Sequence, residues 1–202
     1  MDARRVVLRG TPIAFGVASL LHPVPGRQPI VDALEPRLGR WLGVHVAQLA
    51  LLALLAATLW LLVDGLSSCA ATVCRVALVP FLAFYSAFDA VVGIGTGTLV
   101  RLARGLDGEA HMTAVRLAQA FWDARNGPGM PIFAVIVVAH LAWLVAVGAA
   151  AVALRQAGAG RVVVCLLALA GVLVAFGHPF PTGTAAMACL GAGTWLRTRA
   201  PS

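Results

Sequence analysis

Residues 76–100 read VALVPFLAFYSAFDAVVGIGTGTLV, an apolar run long enough to cross a bilayer and carrying a single acid, Asp89. In a helix, four-residue steps place Phe81, Tyr85, Asp89, Gly93 and Gly97 on one ridge. A carboxylate in the middle of a bilayer costs about 2.5–3.5 kcal/mol, so this ridge is expected to face other protein. Gly93 and Gly97 form a G-x-x-x-G pair on the same ridge, which lets a second helix approach closely. The spacing predicts the central helix of a membrane bundle, with Gly93 and Gly97 at a helix-packing contact.

The rest of the chain fits that setting. Of its 202 residues 60% are hydrophobic and only 11% are charged. The mean hydropathy is +0.91. A soluble domain of this length needs more polar surface than that, so the composition predicts a polytopic membrane protein. All 15 basic residues are arginine, and Ala, Gly, Val and Leu abound. That usage points to a GC-rich bacterial genome, and hence to the bacterial cytoplasmic (inner) membrane. The net charge of +7 comes from arginines scattered at segment ends, with no basic stripe. Contact with the lipid bilayer accounts for such charges better than nucleic acid does. Cys69, Cys74, Cys165 and Cys189 show no C-x-x-C spacing and read as small packing residues.

The expected fold is all-α: a single transmembrane domain, 1–202, with five or six spans. These fall at about 5–22, 41–63, 76–100, 131–154, 162–178 and 183–196. An amphipathic surface helix at about 108–126 separates the third from the fourth. The first run follows Arg4, Arg5 and Arg9 and ends in HPVPG with no small-x-small cleavage site, so it reads as an uncleaved span. Residues 22–40 read as a polar connection, and Trp41 and Trp60 as interfacial anchors of the second span. DGLSSCAATVCR reads as the link into the central helix. In 108–126, Met112, Val115, Ala118 and Trp122 supply the apolar positions of either a surface lid or a plain connecting helix. The last run, 183–196, is short enough to be a sixth crossing or a partly re-entrant segment. Six spans with both termini cytoplasmic put eight of the 15 arginines inside and seven outside, a small excess in the direction of the positive-inside rule.

This topology brings the histidines to one side. His22 ends the first span, His45 lies just inside the second and His178 ends the fifth, all towards one membrane face. His140 enters from that face and lies roughly 13 Å below residue 131 at about 1.5 Å per residue. Tyr85, Asp89 and His140 are therefore the candidate catalytic residues, and His22, His45 and His178 the candidate ligand-binding residues around the mouth. A buried imidazole needs a partner in lipid, and Asp89 is the expected partner of His140. The two H-P-x-P turns at His22 and His178 are equally well explained as helix stops with an interfacial histidine.

Several functions are compatible with that cluster. The first is binding of a small ligand or cofactor. Haem b needs two imidazoles on facing helices, and His45 and His140 differ in depth by about 7 Å. Zinc or copper suits neutral imidazole plus carboxylate, although no H-x-x-x-H spacing is present. The second is an enzyme acting on a lipid or isoprenoid-like substrate, with Asp89 as acid or base. The third is a small transporter or an accessory subunit, in which the Asp89 ridge meets a proton, other membrane subunits or a second copy of the chain. There is no P-loop, nucleophile elbow or dinucleotide fingerprint; Gly93-x-Gly95-x-Gly97 has the wrong spacing for phosphate.

LLHP at the end of the first run, the WLxxH start of the second, FDAVVGIGTG and the late GHPFPTG resemble multi-pass membrane proteins of GC-rich bacteria. The resemblance covers most of the chain. It implies an integral membrane protein and assigns no activity, so it carries no functional residues over.

Overall fold

A computed structural model describes residues 2–125, 127, 129–177 and 179–199. The structure is 84% helix, with no strand among the described residues. Its helices are α1 (Ala3–Leu21), α2 (Ile30–Leu34), α3 (Leu38–Leu62), α4 (Cys69–Phe88), α5 (Thr96–Ala103), α6 (Gly108–Ala124), α7 (Pro131–Gln156), α8 (Arg161–Ala175) and α9 (Thr182–Arg199). A π-helical segment, Asp89–Gly95, joins α4 to α5 without a break. Three continuous helices are long and apolar enough to cross a membrane: Ile30–Leu62, Cys69–Ala103 and Pro131–Gln156. Arg161–Ala175 is a shorter apolar helix.

Packing closes six of these helices into a ring. α3 lies on α4, α4 on α7, α7 on α8, α8 on α9, α9 on α1, and α1 back on α3. The α4–α7 interface is the most extensive. Small residues explain its closeness, because Ala139, Ala142, Ala146 and Ala150 of α7 are buried at three- and four-residue steps. Outward faces are apolar as well: Ile13, Val76, Val79 and Val162 are 63–68% exposed. A helix that is apolar on its exposed side has its low-energy surroundings in hydrocarbon rather than water. A second, smaller core sits outside the ring, where α6 covers α2 and the start of α3 through Ile30, Leu34, Leu38, Trp41, Val100 and Ala118. Gln119 holds it in place, since its Oε1 accepts from the Ile30 N–H at 2.8 Å and satisfies an orphan donor at the start of α2.

Two boundaries differ from expectation. The central helix starts at Cys69, so most of DGLSSCAATVCR is helix rather than link. Ser68 caps it, its side chain accepting from the Ala71 N–H, and Arg75 Nη2 turns back onto the Val63 and Leu66 carbonyls at 2.8 and 3.1 Å. Within residues 22–40, the polar connection contains α2 and a 3-10 turn, Glu35–Arg37, that leads directly into α3. Pro80 lies inside α4, yet the helix continues through it.

Trp41 is also different. It is not an interfacial anchor but is 1% exposed, whereas Trp60 is 47% exposed. What buries Trp41 is the overlying α6, whose Trp122 ring lies 5.7 Å away, edge to face.

Candidate functional site

Because successive ring helices alternate in direction, the ends of α1 and α8 meet the starts of α3 and α7 at one end of the bundle. Here a cavity of about 500 Å³ remains, lined by residues from α3, α4, the π segment, α6, α7 and the two chain turns after α1 and α8. Tyr85 forms part of its floor, with Phe81 packed 5.5 Å beyond.

The strongest polar contact at the cavity joins α3 to the π segment. His45 Nδ1 and Asp89 Oδ1 are 2.7 Å apart, and the two side chains are 4% and 2% exposed. With the carboxylate ionised, the imidazole N–H donates to it in a charge-assisted bond. Asp89 Oδ2 is buried with no hydrogen-bond partner among the described residues.

The π segment explains how α3 comes so close. An alanine methyl at Gly93 would lie 2.2 Å from His45 Nδ1, and one at Gly97 would lie 2.6 Å from the Leu42 side chain. The Gly93 carbonyl accepts from Trp41 Nε1 at 2.7 Å as well as from the Thr96 N–H. Asp89, Gly93, His45 and Trp41 are thus fitted to one another as a unit.

The other histidines take different places. His22 donates from Nδ1 to the Pro23 carbonyl at 2.8 Å and meets His45 edge to face at 4.8 Å between ring centroids. His140 packs edge to face on Tyr85 at 5.7 Å, and its Nε2 has no partner among the described residues. Asp89 therefore pairs with His45 rather than with the expected His140, because the glycine ridge draws α3, not α7, against the acid. His22, His45, Tyr85, Asp89 and His140 all line the cavity, as does Gly93; Gly97 lies one turn beyond, against Trp41 and Leu42. His178 lies outside the described residues.

The sequence reading missed the aromatic and cationic lining. Trp122, Phe88, Phe133 and Arg125 also face the cavity. Arg125 is held at the rim, its guanidinium 3.3 Å from the Trp122 ring centroid and Nη1 donating to the Trp122 carbonyl at 2.6 Å. Burial pulls its pKa below the ordinary arginine value, while Asp123 raises it. The alternation of Trp122 with Ala118 and Val115 on α6 was the available signal, but it only said that this face is apolar.

For haem, the sequence offered His45 and His140 as an axial pair; the structure engages them separately, one with Asp89 and His22, the other with Tyr85. Among the described residues, no three His, Cys, Asp or Glu side chains are grouped to hold a metal ion. The arrangement does provide a buried acceptor beside apolar walls. Comparison of the chain with protein-family models, curated proteins and solved structures returned no significant match.

Proposed function

We propose that this is an integral membrane protein of the bacterial cytoplasmic membrane that binds a small ligand in the cavity beside Asp89. One observation carries the proposal: a carboxylate 2% exposed, with one oxygen held by His45 and the other without a partner among the described residues, forms part of the wall of a cavity of about 500 Å³. An unpaired buried acceptor of this kind costs about 1–3 kcal/mol, more when charged, and a ligand donor removes that cost. The volume lies within the range of small-molecule sites.

In this proposal α1, α8 and α9 complete five or six crossings with the three longer helices. α6 lies along the membrane face, where its exposed Met112 and Leu117 meet the lipid boundary. Both termini then lie on the cytoplasmic side. A C-terminal fluorescent-protein fusion is expected to fluoresce in a bacterial host, and a C-terminal alkaline phosphatase fusion to be inactive. The reverse pattern would overturn this orientation.

Native mass spectrometry of the protein released from mild detergent tests the site itself. The expected result is a small-molecule mass carried by the wild type and lost in Asp89→Asn, with helical circular dichroism preserved. An absorption spectrum and metal analysis of the same sample identify the species if it is haem, zinc or copper. A wild type that is folded and carries no added mass under all release conditions counts against the proposal.

A further inference from the structure

We infer that the cavity selects a protonated amine carried on an apolar or aromatic group, with an ammonium N–H donating to Asp89 Oδ2. The inference rests on the cavity being a ligand site and adds the chemical class of the ligand.

Three features of the walls lead to it. Asp89 Oδ2 is an acceptor, so its complement is a donor. Its sister oxygen already receives His45 Nδ1–H, and no described residue donates to Oδ2, which leaves that position to a ligand donor. His140 also lines this space, from α7, and its Nε2 has no partner among the described residues.

The charge balance favours a cation over a neutral donor. Arg125 is the only permanent cation among the described lining residues, and it is committed elsewhere: stacked on Trp122 and bonded to that residue's own carbonyl. The carboxylate is therefore left to an incoming charge. Trp41, Tyr85, Phe88, Trp122, Phe133 and Phe176 line the same cavity. Aromatic faces attract cations and bury an apolar body equally well, so the walls suit both parts of such a ligand. An anion of the same size would be brought against Asp89 and repelled.

The test uses three probes of one size: 2-phenylethylamine, 2-phenylethanol and 3-phenylpropionate. Each is titrated calorimetrically into the full-length, detergent-purified protein. The amine is expected to bind saturably at one site per chain, about tenfold or more tighter than the alcohol, because a charge-assisted bond replaces a neutral one. The propionate is expected not to bind. Asp89→Asn should reduce the amine to the level of the alcohol. Should that variant fail to fold, Val137→Trp, which fills the cavity and leaves the acid in place, should abolish amine binding.

Equal affinity for amine and alcohol overturns the inference, as does preference for the propionate, while either result leaves the cavity a ligand site. Absence of saturable binding by all three overturns it too, and the mass carried by the native protein then decides the broader proposal independently. Amine binding that survives both variants places the probe elsewhere and also overturns it.

Discussion

Adding one methyl group at Gly93 is expected to cost about 3 kcal/mol of stability, at the upper end for overpacking a tight contact. The new Cβ would lie 2.2–2.6 Å from three atoms of the His45 ring. That ring has nowhere to withdraw, since it is bonded to Asp89, tilted against Trp41 at 4.4 Å and edge-on to His22. The Gly93→Ala protein should therefore unfold earlier in a thermal or detergent titration and lose the proposed ligand binding. Gly43→Ala and Gly148→Ala are the controls. Both glycines sit within helices with open space where the methyl would go, so each change is expected to be neutral or stabilising by up to about 1 kcal/mol. Equal effects at all three positions would mean that α3 and the π segment are not in close contact.

The second large effect is expected from the buried pair. His45→Phe leaves both Asp89 oxygens without a partner among the described residues, a loss of about 3–5 kcal/mol by analogy with other broken buried pairs. Asp89→Leu removes the acceptor of the buried His45 Nδ1–H, also a substantial cost. Combining the two replaces the polar contact with an apolar one and should restore much of the loss. Unfolding measured across the four proteins is expected to give a coupling of about 2 kcal/mol or more. Additive effects would show that the 2.7 Å contact contributes nothing specific.

The all-helical architecture was legible because apolar runs of spanning length need no knowledge of their neighbours to be recognised. The importance of the Asp89 ridge was legible for a similar reason: one acid in a long apolar segment has few acceptable surroundings. All five ridge residues, from Phe81 to Gly97, are buried. Partner choice was not legible. His45 and His140 are both single histidines near the same end of apolar helices, and only the ring order of helices decides which meets the acid. The π turn was equally hidden, since Gly93, Gly95 and Gly97 permit a widened turn without requiring one. Trp41 misled because a tryptophan at the start of an apolar run ordinarily marks an interface, and α6 folding over it is a long-range event.

The shortness of α8 has one more consequence. Its 15 residues reach about 22 Å along the axis, well under the roughly 30 Å of a bilayer's hydrocarbon layer. For a bundle seated as proposed, lipid around α8 has to thin, or the turn at Phe176 and Gly177 sits below the headgroups. That turn borders the cavity. In the second case the local solvent at the entrance is acyl chain rather than water, and the membrane becomes the reservoir from which the protein samples. A solute's oil–water partition would multiply its working concentration, so modest intrinsic affinity would suffice for a compound that dissolves in lipid.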